Sequence, residues 1–101
     1  MPEAPLANDE IRARIAQLDG WDVVDNKLHR ELEFPDFSAA FSFMTGVALV
    51  AEKLDHHPDW SNSWNKVRID IVSHAAGGIT ATCFELADRI EHLAAGRGRG
   101  R

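Results

Sequence analysis

A single cysteine, Cys83, is present in this chain, so no intrachain disulfide can form, and this composition is typical of a reducing compartment. The sequence shows no apolar run of membrane-spanning length, which predicts that the protein does not enter a membrane. Its first ten residues, MPEAPLANDE, have neither the basic nor the apolar segment of a signal peptide. We therefore expect a cytoplasmic protein.

Basic residues are scarce outside the last six positions. Residues 96–101 read GRGRGR and hold three of the 11 lysines and arginines, which leaves 8 basic residues against 16 acidic ones. A domain of this charge repels a phosphate backbone, so we expect no direct binding of nucleic acid. The 101 residues predict a flexible N-terminal arm over 1–7, a single domain over 8–95 and a disordered basic tail over 96–101.

Apolar periodicity and turn residues divide the domain into three helices and three strands. Val67, Ile69 and Ile71 alternate with polar residues and give the clearest strand. The first predicted helix is capped by Asn8 or Asp9, has apolar positions Ile11, Ile15 and Leu18, and stops at Gly20. A hairpin over 21–34 with its turn at Asp25-Asn26, a helix over Phe37–Leu54, a loop over 55–65 and a strand over 66–72 follow. The last helix, over Ala81–Ala95, is capped by Thr80 and is predicted to bury Phe84, Ala87, Ile90 and either Leu93 or Ala94.

The long predicted helix carries apolar residues on two sides. One stripe comprises Phe37, Phe41, Met44 and Ala48, and the other comprises Phe43, Val47, Val50 and Leu54. A helix of this kind must be covered on both sides, which we expect the domain's own sheet and a second subunit to do. The order of elements predicts an α+β fold, with helices on one face of a small antiparallel sheet of about four strands. The fourth strand is expected within residues 60–65 or from a partner.

Three histidines and a carboxylate fall around the end of the long helix and the loop after the clearest strand. Glu52 and His56 are four residues apart, a spacing that places both on one helical face. Pro58 moves His57 out of helical geometry, and His74 lies in a glycine-containing loop. Because histidine changes charge near neutral pH, the pattern predicts a proton-transfer site. The alternatives are an exposed ion pair and polar loop residues without a role.

A zinc site is an alternative use of three histidines, because such a site can leave a fourth position open. Adjacent histidines rarely reach one metal, and no carboxylate or thiol stands at a familiar ligand spacing, so we expect no metal. His29 and His92 are expected at the surface. The sequence also has no phosphate-binding glycine loop, nucleophile elbow or CxxC pair.

Two tryptophans, Trp60 and Trp64, lie close to the histidine pair in sequence. Aromatic side chains beside convergent polar groups suit a flat heteroaromatic ligand. For Trp64 we favour packing inside the domain.

The strings FSFMTGVALVAEKLDHHPDW, NKVRIDIVSH, and GGIT with the later LADRIEHLA resemble the pterin-4a-carbinolamine dehydratase family, also known as the dimerisation cofactor of a homeodomain transcription factor. The resemblance covers residues 34–94. It implies a four-stranded antiparallel sheet with helices on one face, homodimers that pair sheets and homotetramers built through the long helices. It also implies a lyase that dehydrates 4a-hydroxytetrahydrobiopterin to quinonoid dihydrobiopterin and water by histidine acid–base catalysis. This reaction recycles tetrahydrobiopterin after an aromatic amino acid hydroxylase has used it.

The resemblance also assigns roles by position. It implies acid–base roles for His56, His57 and His74, an orienting role for Glu52, and contacts with the pterin for Pro58, Trp60 and Ser73. It implies no metal and no organic cofactor, since the tetrahydropterin is the substrate.

The chain departs from the family pattern at two positions. The family usually has an acidic residue where this chain has Ala75, and an aspartate early in the last helix where this chain has Cys83. Asp88 lies five residues further on and is expected on a different face. The missing aspartate is expected to weaken the support of the loop that carries His74. The open alternatives are a dehydratase, a non-catalytic oligomeric assembly partner, and a hydratase or isomerase for another heterocycle.

Overall fold

A computed structural model describes residues 3–95, so the predicted tail over 96–101 lies outside the described residues. The elements are α1 (Asn8–Ile15), β1 (Asp22–Val24), β2 (Lys27–Glu33), α2 (Phe37–Leu54), β3 (Asp59–Ser63), β4 (Lys66–Ile71) and α3 (Ala81–Ala95). The strands form an antiparallel four-stranded sheet in the order β1-β2-β4-β3. This confirms the predicted α+β class.

Helices α2 and α3 have the predicted bounds because their caps are encoded locally. The Oδ1 atom of Asp36 accepts a hydrogen bond from the Ala39 amide at 2.8 Å, which caps α2. The Thr80 hydroxyl oxygen accepts from the Cys83 amide at 3.3 Å, as predicted for the start of α3. The predicted cap of α1 was wrong, since Ala7 occupies that position and makes no side-chain cap.

The β1–β2 hairpin turns at Asp25 and Asn26, as predicted. Both have positive φ, at 52° and 60°, which is the backbone conformation that a tight two-residue hairpin requires. Trp21 lies one residue before β1 and is buried, and its indole nitrogen donates to Glu91 Oε1 at 2.8 Å. The hairpin is thereby fixed to α3.

The sequence predicted a loop over 55–65 and left the source of the fourth strand open between residues 60–65 and a partner; the structure has β3 at Asp59–Ser63. Its alternate residues face the core, but Trp60 is the one large apolar side chain among them, so the apolar alternation is weak. Pairing with β4, from Asp59↔Asp70 to Ser63↔Lys66, supplies the fourth strand from the chain itself. The turn that follows exposes 65% of Trp64, so the prediction that it packs inside was wrong.

The core lies between one face of the sheet and the helices. Buried residues of the sheet are Leu28, Leu32, Val67, Ile69 and Ile71, those of α2 are Ala40, Phe43, Val47 and Ala51, and those of α3 are Cys83, Phe84, Leu86, Ala87, Ile90 and Ala94. Of the two predicted alternatives near the end of α3, Ala94 is the fully buried one and Leu93 is half-buried.

The apolar stripe of α2 that begins at Phe37 is largely uncovered by the domain. Phe37 and Phe41 expose 49% and 56% of their surface, and Leu49, which lies outside both predicted stripes, exposes 69%. Helix α2 has 18 residues and a mean hydropathy of 1.3, so by length and composition it could cross a membrane, contrary to the expectation that no segment is long enough. The core helix of a globular domain meets the same criterion, and α2 buries Phe43 and Val47 against the sheet.

Residues 3–7 are held against the domain, whereas the sequence predicted a free arm. The Leu6 amide donates to the Ile79 carbonyl at 2.8 Å, and Leu6 packs against the core. Glu3 Oε2 accepts from the Thr82 amide at 3.1 Å. This segment therefore reaches the first turn of α3.

Candidate functional site

The end of α2 determines where the two adjacent histidines point. Asp55 adopts a left-handed conformation with φ 52°, and the His56 amide then donates to the Ala51 carbonyl at 3.0 Å. His56 is thus beyond the helix, and the predicted pairing of Glu52 with His56 was wrong. Instead, the His57 Nε2 atom lies 2.7 Å from Glu52 Oε1, and both side chains are mostly exposed.

His56 turns to the other side, toward α3. Its Nε2 atom lies 3.2 Å from the Sγ atom of the fully buried Cys83. Burial lowers the pKa of His56, and the nearby charges of His57 and His74 lower it further, while two carboxylates oppose the shift without cancelling it. His57 and His74 therefore lie near enough to His56 for their charges to affect it.

His74 is presented by a tight loop at the end of β4. The Ser73 amide donates to the Gly78 carbonyl at 3.0 Å, the Gly77 amide donates back to the Ser73 carbonyl at 2.8 Å, and Gly77 has φ 77°. The His74 side chain is 75% exposed, and its Nε2 atom lies 3.3 Å from Asp59 Oδ2. A carboxylate therefore lies within hydrogen-bonding distance of two of the three histidines, His57 and His74.

The predicted pterin contacts lie in two segments, Pro58 and Trp60 at the start of β3 and Ser73 in the His74 loop. Pro58 and Trp60 are half-buried, and Ser73 Oγ accepts from the Ala76 amide at 3.1 Å, which fixes the His74 loop. A shallow cavity of about 200 Å³ borders the site, and its lining consists of Asp59, Trp60, Ser61, Arg68 and Asp70. The cavity shares Asp59 with the His74 contact, and Trp60 follows Asp59 in β3.

Cys83 makes no hydrogen bond with residues 73–78, the loop that carries His74, which the sequence predicted position 83 to support. Its hydrogen-bonding contacts are with His56 and Thr80, so the position belongs to the surroundings of His56 and not to the His74 loop. Asp88 is exposed and lies 3.7 Å from His92 Nδ1, which confirms that it lies on a different face from Cys83.

Within residues 3–95 no group of three or more histidine, cysteine, aspartate or glutamate side chains could hold a metal ion. The remaining histidines differ from each other. His92 is 79% exposed, as expected, and His29, also expected at the surface, exposes 15% of its side chain. Its ring lies on the outer face of the sheet between Asp70 and Glu31, at 2.8 and 2.9 Å.

Comparison with known proteins places the chain in a family. The family model described as pterin 4 alpha carbinolamine dehydratase matches residues 4–93. The chain belongs to this family. A relative from Solibacter usitatus, provisionally named a pterin-4-alpha-carbinolamine dehydratase, is 50% identical over 91 residues, which are 90% of this chain and 96% of the relative. A relative of the same provisional name from Rhizorhabdus wittichii is 49% identical, over 89% of this chain and 95% of its own.

A solved structure of a related protein has the same fold as this chain. The crystal structure described as transcriptional coactivator/pterin dehydratase from Brucella melitensis superposes with a TM-score of 0.87 at 39% identity, and covers 89% of this chain and 98% of that one. The dehydratase family and its α+β fold are therefore established for this chain, and the roles of the individual site residues stay predictions.

Sequence reasoning missed two carboxylates that contact or face the histidines of this dehydratase-family site. Asp59 follows the His56-His57-Pro58 string directly. Its contact with His74 depends on its place at the start of β3, which the sequence did not locate. Glu3 comes from the N-terminal segment, and nothing in the sequence connects it with α3.

Proposed function

We propose that the protein is a 4a-hydroxytetrahydrobiopterin dehydratase, which converts this substrate to quinonoid dihydrobiopterin and water. The observation that carries the proposal is the convergence of His56, His57 and His74, two of them beside carboxylates. Family membership and the provisional names of the relatives support the same reaction. A hydratase or isomerase acting on another heterocycle has no comparable support.

The reaction needs a proton delivered to the departing 4a-hydroxyl group and another removed from a pterin ring nitrogen. Glu52 Oε1 accepts from His57 Nε2, and Asp59 Oδ2 accepts from His74 Nε2, so each carboxylate fixes one ring nitrogen and leaves Nδ1 for the substrate. Each positioned proton transfer contributes about 10²–10⁴-fold to the rate. Glu52 is thus proposed to orient His57.

His56 is proposed to act in its neutral form. Because burial lowers its pKa, the imidazole is uncharged at pH 7 and is ready to accept a proton. Pro58, Trp60 and Ser73 are proposed to contact the pterin ring, with Trp60 offering an aromatic surface to a flat heterocycle.

Turnover by single-histidine variants tests the proposal. The 4a-hydroxytetrahydropterin is generated in situ, and its decay is followed by absorbance with and without the protein. We expect His57→Ala and His74→Ala each to lower kcat by about 10²–10⁴-fold, with circular dichroism unchanged. His92→Ala, which changes an exposed histidine on α3, is the matched control and should retain full activity. Full activity in both site variants would contradict the proposal.

We also propose that the reaction requires no metal or organic cofactor, and that it recycles the pterin in the cytoplasm for an aromatic amino acid hydroxylase. Protein dialysed against EDTA should keep its full rate. Hydroxylase assays with catalytic amounts of tetrahydrobiopterin and a recycling reductase should show a higher steady-state rate when this protein is added. An unchanged rate would argue against the role in recycling.

A second candidate function is a non-catalytic assembly partner, and the exposed stripe of α2 favours it. Phe37 and Phe41, whose ring centroids lie 5.7 Å apart, and Leu49 are exposed apolar side chains of a kind that oligomeric proteins bury, and the related Brucella melitensis structure is described as a coactivator as well as a dehydratase. We propose that this surface joins copies of the chain into homodimers or homotetramers. Well-folded oligomers without dehydratase turnover would favour assembly as the main role.

A further inference from the structure

The segment before α1 is attached to the start of α3 at two points. The Leu6 amide donates to the Ile79 carbonyl at 2.8 Å, and Glu3 Oε2 accepts from the Thr82 amide at 3.1 Å. A Cβ atom at the buried Gly78 would lie 3.0 Å from the Cβ atom of Pro5, so the segment passes close to the backbone there. Glu3 is exposed, and its carboxylate is held at the start of α3 by the hydrogen bond from Thr82.

Glu3 satisfies a backbone donor that α3 leaves free. The first amides of a helix have no partner within it, and the partial positive charge at this end favours a carboxylate. Thr80 serves the Cys83 amide, and Glu3 serves the Thr82 amide. Burial alone would raise the pKa of Glu3, but hydrogen bonds from Thr82 and Thr80 and the nearby His56 outweigh it, so the pKa lies below its usual value. The carboxylate is thus ionised at neutral pH.

The same turn of α3 touches the imidazole of His56. Cys83, the residue after Thr82, places its Sγ atom 3.2 Å from His56 Nε2. After burial, Glu3 has the largest effect on the pKa of His56, and it acts in the opposite direction to burial. The groups that face this imidazole are Cys83 on α3, Glu3 from the N-terminal segment, Asp55 and His57 beside it in the chain, and His74 from the loop after β4.

We propose that Glu3 is a positioning residue of the site, which holds the first turn of α3, and with it the Cys83 thiol, against His56 and adds a negative charge to that turn. Glu3 thereby sets how much of His56 is neutral at a given pH. The catalytic consequence rests on the proposed dehydratase function, whereas the effect on the titration of His56 does not.

Titration of the His56 imidazole by NMR tests the proposal directly, with its signals assigned by comparison with His56→Gln. Glu3→Gln keeps an oxygen that can accept from the Thr82 amide but removes the charge. We expect it to shift the titration midpoint of His56 to lower pH, while the Thr82 amide signal stays close to its position in the unchanged protein. Glu3→Asp, which restores the charge, should bring the midpoint back toward that of the unchanged protein.

Glu85→Gln is the matched control, since it removes one negative charge from the exposed surface of α3 where Glu85 pairs with Arg89. It should leave the midpoint unchanged. A midpoint in Glu3→Gln equal to that of the unchanged protein would overturn the proposal. Equal shifts in Glu3→Gln and Glu85→Gln would also overturn it, because they would reflect net charge alone.

The pH profile of kcat/KM connects the titration to catalysis. If His56 acts as proposed, the profile of Glu3→Gln moves to lower pH together with the NMR midpoint. If the unchanged protein has no turnover, the dehydratase proposal fails while the NMR titration still decides the role of Glu3. A shifted NMR midpoint with an unmoved profile would overturn the catalytic part of the inference.

Discussion

The imidazole of His56 and the thiol of Cys83, 27 residues apart in the chain, meet with Nε2 and Sγ separated by 3.2 Å. This contact joins the end of α2 to the first turn of α3. The residue at position 83 therefore acts on His56, the least exposed of the three histidines of the candidate site. A family pattern with a carboxylate at this position would place a negative charge beside that ring.

Replacing Cys83 by aspartate should raise the pKa of His56. A carboxylate at this distance favours the protonated imidazole, whereas burial disfavours it. Cys83→Ser, which adds no charge, is the control and should change the pKa much less. NMR titration of both variants gives the comparison, and an unchanged midpoint in Cys83→Asp would show that the two side chains do not interact in solution.

His29 should make the stability of the protein depend on pH. The hydrogen bond to Asp70 raises the pKa of His29, burial opposes the rise, and Glu31 adds to it. Because the pKa of His29 is higher in the folded protein than in the unfolded chain, its ionised form stabilises the fold. This stabilisation is fully present below the pKa of the unfolded chain, about 6.5, and is lost as the pH rises through the pKa of the folded protein. We expect His29→Gln to lower the free energy of unfolding by about 1–2 kcal/mol at pH 6, and by less at pH 9.

Urea unfolding at both pH values measures this difference. His92→Gln is the matched control because His92 is exposed, and its effect should be small at each pH. A loss in His29→Gln that is the same at pH 6 and pH 9 would contradict the assignment of the ionised pair.

Charges introduced on the exposed stripe of α2 should break up homo-oligomers. Phe41→Asp and Leu49→Asp place a carboxylate where an apolar interface would exclude water. Because both residues are exposed in the single chain, each change should cost the folded chain less than about 1 kcal/mol. Light scattering after size exclusion should show smaller species. Ala13→Asp, at an exposed position of α1, is the control, and an equal effect there would argue against the α2 surface.

Trp64 should be replaceable by glycine with a gain in stability. It has φ 50° and is 65% exposed, so its ring contributes little burial while its backbone adopts the left-handed conformation. That conformation costs roughly 1–2 kcal/mol for an ordinary residue, and the greater freedom of glycine in the unfolded chain offsets about half. We expect Trp64→Gly to gain about 0.5 kcal/mol by thermal and urea unfolding.

The neighbouring change Ser63→Gly is its control. Ser63 belongs to β3, where glycine brings no conformational relief and should cost about 0.5–1 kcal/mol. A loss of stability in Trp64→Gly as large as in Ser63→Gly would mean that the tryptophan ring packs in solution.

The sequence predicted the elements that carry strong local signals. Asp36 and Thr80 begin α2 and α3 where expected because each side chain caps a helix by itself. The alternating Val67, Ile69 and Ile71 located β4 to within one residue. Strand β3 could be predicted only as one of two sources of the fourth strand, because an edge strand with a polar outer face has little apolar alternation, and pairing with β4 outweighs its weak propensity.

The histidines of the candidate site could be located from sequence, but their contacts could not. The spacing between Glu52 and His56 indicates a common helical face only if the helix includes His56. Helix α2 ends at Leu54 because Asp55 adopts a left-handed conformation, so His56 lies outside it. As a result, His57 meets Glu52 and His56 meets Cys83. The role of Glu3 depends on how the N-terminal segment packs, which no local pattern encodes.

The sheet order has a consequence for how the site forms during folding. The β3–β4 hairpin has short-range contacts and can form early, but it lies between His56 and Cys83 in the chain. An intermediate with this hairpin and an undocked α3 would contain all three histidines and yet lack the group that borders His56. Protection of amides in α3 from hydrogen exchange should therefore appear together with the native titration of His56, and after protection of the hairpin.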